Sequence, residues 1–203
     1  MLLLLALFAG AAAPAAAMPI DAPATDAPID WRDSRSIGKP FDGRLADGVQ
    51  LPEDGIDFWT YDWGLRASPN RAWRRWGSDR LVHTVLDVLR MYRLERPFAP
   101  RVGVADLSRS QGGRFGKNFG GLGHSSHQNG RDVDILYPRL DGLERRAWSP
   151  ELVDEELSQA LVDRFVDAGA VYVFTGWRLD LHGPRETVVK LTHHDDHMHV
   201  RVR

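Results

Sequence analysis

The chain of 203 residues contains no cysteine. That absence excludes thiolate metal sites, a cysteine nucleophile and disulfides. Neither sign of charge dominates: 26 Lys and Arg stand against 28 Asp and Glu, a formal net charge of −2. No global basic field therefore directs the chain to nucleic acid or to a membrane surface. No apolar run reaches the roughly 20 residues that a membrane span needs, and no repeat shows at a period of about 20–50 residues. Two catalytic signatures are also missing. There is no H-E-x-x-H helix and no G-x-S-x-G elbow. The 43% apolar and 27% charged composition is ordinary for one globular domain with a buried core; two full domains would be cramped.

The first twenty residues, MLLLLALFAGAAAPAAAMPI, carry no charge. Leu2 to Ala9 form a short apolar stretch, and Ala15-Ala16-Ala17 fits a small-x-small cleavage site. Residues 1–17 are read as a secretory signal peptide, leaving no membrane span after cleavage. Residues 18–35 are rich in proline, alanine and aspartate and form a flexible lead-in. Residues 36–203 make one domain.

Within it, SIGKPFDGRLADGVQLP suggests loops and short strands. A helix is expected over 78–94, capped by Ser78 or Asp79. Its apolar face is Leu81, Val82, Val85, Leu86, Val88, Leu89 and Tyr92. A second helix is expected over 150–168, with Ser149 as cap, Pro150 at its first position and Gly169 past its end. Strands are expected at 101–106, 132–137, 170–176, 186–192 and 197–203. Residues 107–123 are too glycine-rich for regular structure. Helices and strands do not alternate, which points to an α+β fold: a central, mainly antiparallel sheet with flanking helices and long Gly-rich loops.

Six of the eight histidines fall in two short clusters, GHSSHQNGRDVDI (123–135) and HHDDHMHVRVR (193–203). In a strand, residues i and i+2 share a face. His197 and His199 therefore project together, with Met198, Val200 and Val202 turned to the core. Asp132 and Asp134 are arranged alike. If the two strands are neighbours, Asp134 meets His199, and His127 reaches in from its turn. Two imidazoles and a carboxylate with an open position are how catalytic zinc sites are built. Asp132 reads as structural, a cap or an arginine partner. Other readings remain open at this level. A His-rich run can be a solvated segment or an adventitious metal binder. His194-x-Asp196 has the form of a non-haem iron pair, though no third histidine follows His199. Ser125 and Ser126 lie in a loop among the donors, without the setting of a nucleophilic serine.

The two clusters resemble the metal motifs of penicillin-insensitive murein endopeptidases, of the wider lysostaphin-type, D-alanyl-D-alanine and hedgehog peptidase group. The pattern is a histidine, six residues, an aspartate and a late His-x-His. Here it is carried by His127, Asp134 and His197-Met198-His199. SIGKPFDGRLADGVQLP, Gly112-Gly113-Arg114-Phe115, and a histidine three residues before each key one (His124, His194) extend the likeness over residues 36–203. The chain departs from family members that carry cystines, and Trp59, Trp63, Trp73 and Trp76 crowd its N-terminal half.

The resemblance implies one zinc ion held by His127, Asp134 and His199. It implies catalytic roles for His197 and His194, with His124 auxiliary. It further implies hydrolysis of D-alanyl–meso-diaminopimelate cross-links of peptidoglycan through a metal-activated water, in the periplasm. Arg114, Lys117 and Arg131 lie near the motif, but plain solvated charge accounts for them equally well. The alternatives are a D,D-carboxypeptidase or D-alanyl-D-alanine dipeptidase of the same group, or a non-catalytic zinc-containing wall-binding protein.

Overall fold

The computed structural model describes residues 28–116 and 124–203. The signal-peptide reading, the start of the lead-in and the last seven residues of the glycine-rich segment, Lys117 among them, lie outside the described residues. In chain order the strands are β1 (Arg35–Lys39), β2 (Asp42–Ala46), β3 (Val49–Gln50), β4 (Phe58–Thr60) and β5 (Trp76–Gly77). Helix α1 (Asp79–Glu95) is followed by β6 (Val102–Val104), β7 (Asp132–Leu136) and α2 (Glu155–Asp167). The chain continues with β8 (Tyr172–Thr175), β9 (Val188–Lys190) and β10 (His197–Arg201).

Six strands form the main sheet in the order β4-β6-β7-β10-β8-β9. The central pairings β6/β7, β7/β10 and β10/β8 are antiparallel, while the outer pairs β4/β6 and β8/β9 are parallel. The expected α+β architecture is found.

Helix α1 follows its sequence closely. Ser78 caps it by accepting from the Leu81 backbone N–H at 3.1 Å, and all seven residues of the expected apolar face are buried. Helix α2 starts later than expected. Pro150–Leu152 make only a single 3₁₀ turn, Val153 is extended, and the α-helix begins at Glu155 with Asp154 as cap. Ser149 makes no capping bond; its hydroxyl pairs with the Glu151 side chain. Asp154 accepts from the Leu157 N–H at 3.0 Å and so satisfies a helix donor that Ser149 leaves alone. Gly169 closes the helix with φ +79°, a value glycine reaches without strain.

The core lies on one side of the sheet. Val102, Val104, Val133, Ile135, Val173, Met198 and Val200 pack in one cluster with the apolar faces of α1 and α2. The opposite side of β7 and β10 carries the polar residues. The β1/β2 hairpin supports the loop between: Gln128 N–H donates to Pro40 O at 2.9 Å, and the Asn129 amide donates to Gly38 O at 3.2 Å. Gly112, at φ +68°, lies against the same place; a Cβ there would stand 2.2 Å from Gln128 O and 2.5 Å from Leu45 N. Only glycine permits that approach. The SIGKPFDGRLADG and Gly112-Gly113 segments thus brace the loop that carries His127.

Candidate metal centre

Register brings the two clusters together. In the antiparallel β7/β10 pair, His199 stands opposite Asp134 and Arg201 opposite Asp132. His199 Nδ1 lies 3.3 Å from Asp134 Oδ1. His127 Nε2 lies 3.3 Å from the same oxygen, and His197 Nε2 lies 3.9 Å from it. On the far side, His124 Nδ1 is 3.9 Å from Asp134 Oδ2. Donor atoms of His124, His127 and Asp134 lie within 4.8 Å of one another. His194 joins through its ring, 4.8 Å from that of His197.

Each histidine is oriented through its far nitrogen. His127 Nδ1 faces Leu107 O at 2.6 Å. A carbonyl only accepts, so Nδ1 carries the proton and the Nε2 lone pair points at the site. His199 Nε2 contacts Asp132 Oδ1 at 3.1 Å, leaving Nδ1 inward. His124 Nε2 contacts Asp106 Oδ2 at 2.6 Å, and Asp106 is itself paired with the fully buried Arg74. Such outer partners set the tautomer and aim of metal-ligating histidines. Asp132 also accepts from Arg201 Nε at 2.6 Å and from the His127 N–H at 3.0 Å. Its arginine pairing is as expected, and its support of His199 is additional. His127 sits at φ +68°. This conformation costs a non-glycine residue on the order of 1–3 kcal/mol and persists only where surroundings hold it; here the bonds to Asp132 and Leu107 do so.

The electrostatics are polarised. Burial opposes charge on Asp134, but the neighbouring imidazoles His127 and His197 outweigh it and hold its carboxyl well below the usual range. Burial pushes the His127 imidazole down. Burial also opposes charge on His199, yet the Asp132 and Asp134 carboxylates beside it push it up to about 9. Burial and the nearby His197 push His194 down to about 4.

Among the described residues, His127 Nε2 and both Asp134 oxygens are buried without a hydrogen-bond partner. Leaving three such atoms unsatisfied in one spot is costly. A cation at their meeting point would satisfy all three, and imidazole with carboxylate is a donor set suited to zinc. The residues fit a metal.

The centre lies at the floor of a cleft of about 510 Å³. Its walls include Trp63, Arg146, Leu191 and His194. Neither Arg114 nor Arg131 lines it; the arginine that does is Arg146. Sequence reasoning missed Arg146, Asp106 and Arg74, and noted Trp63 only as one of four crowded tryptophans. Asp196 was seen only as half of an iron pair, but its place beside His197 was the available signal. In the fold, Asp196 bonds His197 Nδ1 at 2.7 Å rather than meeting a metal with His194.

The fold and the site together define a small α+β protein with a buried imidazole–carboxylate centre at the bottom of an open cleft. A model of the penicillin-insensitive murein endopeptidase family matches residues 36–173. The chain belongs to that family, and membership supports a peptidase acting on murein. The match covers the hairpin and the His127/Asp134 motif and stops before β10, so the placement of His197 and His199 rests on the sheet register. No curated protein matches the chain.

Proposed function

We propose that the protein is a zinc-dependent murein endopeptidase that hydrolyses D-alanyl–meso-diaminopimelate cross-links. The observation that carries this reading is the convergence of His127, Asp134 and His199 on one point, with three of their polar atoms buried and unpartnered. These three residues hold the zinc. His124 is a competing donor, but it lines the cleft wall at the end of the glycine-rich segment. His199 is locked in register opposite Asp134, and we assign His124 an auxiliary role. Bound there, zinc supplies Lewis acidity and a water that ionises near neutral pH.

The chain's own groups handle the protons. His197 carries its proton on Nδ1, facing Asp196, and turns Nε2 to the site. It accepts a proton there and delivers one to the leaving amine. His194 holds its own Nδ1 proton on Thr192 O at 2.7 Å and offers a neutral acceptor at Nε2. Trp63 and Arg146 form the wall beside His197 and receive the peptide. Residues 1–17 direct export, and the mature chain works on peptidoglycan in the periplasm.

Digestion of purified sacculi tests the reading. Conversion of cross-linked dimers to monomers is expected, abolished by a zinc chelator and unaffected by penicillin, since no serine nucleophile is used. Loss of only terminal D-alanine would instead identify a carboxypeptidase, and unchanged muropeptides with metal bound a wall-binding protein.

A further inference from the structure

Three side chains from separate parts of the chain, Trp63, Arg146 and Asp196, close around the His197 ring. His197 Nδ1 lies 2.7 Å from Asp196 Oδ1. The other oxygen of that carboxylate, Oδ2, accepts from Arg146 Nε at 2.6 Å and lies 2.5 Å from its terminal nitrogen. The Arg146 guanidinium lies over the Trp63 ring, 4.9 Å from its centre. Trp63 completes the circuit with its ring 5.1 Å from that of His197, at 62°. Asp196 is mostly buried, with 15% of its side chain exposed. Its carboxylate cannot turn away without breaking the contacts to Arg146.

We infer that Asp196 and Arg146 are positioning residues that hold His197 in the tautomer with Nδ1 protonated and Nε2 open to the site. The inference rests on the assignment of His197 as the proton-handling group. An ionised carboxylate only accepts hydrogen bonds, so the proton stands on Nδ1. Arg146 makes the arrangement directional. It presents two N–H groups to Oδ2, so any group at this position must turn an acceptor toward Arg146. His194 reaches the same tautomer differently, by facing the Thr192 backbone carbonyl at 2.7 Å.

The alternative is that the Asp196–Arg146 pair merely ties the start of β10 to the 145–149 loop. The two readings part company on Asp196→Asn. Arg146 would draw the amide oxygen to the Oδ2 position and leave the amide NH₂ facing Nδ1. The His197 proton would then move to Nε2, where it blocks proton acceptance. A tie alone would survive in this isosteric variant.

The test uses full-length mature protein loaded with zinc and labelled with ¹⁵N-histidine. Two-bond ¹H–¹⁵N spectra read the His197 tautomer directly and need no activity. In Asp196→Asn the tautomer should switch while bound zinc stays at the wild-type level. kcat should fall by about 10³ to 10⁴, the order seen when the carboxylate behind a hydrolase histidine becomes an amide. KM should change by no more than a few-fold. Adding Arg146→Met should free the amide to turn, restore the Nδ1-protonated form and raise kcat at least tenfold over Asp196→Asn alone.

An unchanged tautomer in Asp196→Asn overturns the inference. So does a switched tautomer with undiminished kcat, or a double variant no better than the single one. If Asp196→Asn does not fold, Asp196→Ala replaces it; loss of the acceptor should leave both tautomers populated, and a wild-type spectrum would refute the idea. Because the spectra are independent of substrate, failure of the murein endopeptidase reading would show in the sacculus digest and not here.

Discussion

On the back of the β7/β10 pair, Val133, Ile135, Met198 and Val200 are all fully buried. On the front, Asp132, Asp134 and His199 are buried nearly as deeply, none more than 7% exposed. The same two strands thus hide two kinds of surface. The back satisfies itself, because methyl and thioether groups need only contact. The front does not: Asp134 keeps both oxygens unpartnered, and His127 Nε2 points at them from the adjoining loop. Burial of apolar groups contributes directly to folding. Burial of unmet polar groups opposes it and makes sense where a ligand completes them. The two faces should therefore respond to mutation in opposite ways.

The largest expected effect is on the front. His199→Ala should purify largely metal-free and inactive while remaining folded, as elemental analysis and circular dichroism of the same sample would show. Loss of even a supporting partner of a ligand lowers metal affinity about 10–100-fold, and loss of a ligand should exceed that. A metal-replete, active His199→Ala would remove β10 from the site.

His197→Ala should keep its zinc and lose about 10²–10⁴ in kcat, the usual worth of a positioned acid–base group. Metal content must be measured on the kinetic samples, since an apo fraction imitates a catalytic defect. Loss of metal here with retention in His199→Ala would reverse the two roles.

Between them, on the opposite face, Met198→Ala should do the converse. Truncating a buried methionine costs about 2–5 kcal/mol. Denaturant midpoints should fall accordingly, while zinc content and kcat of the folded fraction stay near wild type. Loss of metal without loss of stability would mean that the two faces are not separable.

The smallest effect sharpens the front face alone. With its imidazole pushed up to about 9, His199 is protonated in the metal-free protein at neutral pH. It ligates only when neutral, so binding must expel that proton. Zinc affinity should rise about tenfold per pH unit as pH approaches 9 and then level off, with about one proton released per zinc near pH 7. Lower pH weakens binding because it restores the proton that competes with zinc. Calorimetry in buffers of different ionisation enthalpy would measure the release, and pH-independent affinity would contradict it.

Much of this was legible in the sequence for local reasons. The period-3.6 apolar stripe of α1 and the Ser78 cap are local patterns, and both were found as expected. The period-2 alternation of β10 separated His197 and His199 from Met198 and Val200, and the core received the latter pair. The start of α2 was misjudged because Ser149-Pro150 and Asp154 both offer a helix start. Which one prevails depends on where Val153 pairs, and Val153 bridges Arg139, outside the reach of any helix-start signal. The supporting partners were out of reach for a similar reason. Arg74 and Arg146 are 50 and 51 residues from His124 and His197, the histidines they serve, and nothing in their neighbourhoods distinguishes them from solvated arginines.

By itself, then, the sequence determined the donor types, their spacing along each strand, the face each would occupy and the family. Those properties depend only on covalent geometry and on the two-residue period of a strand. The tertiary structure alone decided that β7 and β10 are neighbours in the register that sets His199 against Asp134. It alone decided which nitrogen of each histidine faces inward, because that choice belongs to Leu107, Asp132, Asp106 and Asp196. A side chain carries its chemistry with it, but its tautomer, its charge and its aim are conferred by whatever packs against its far side.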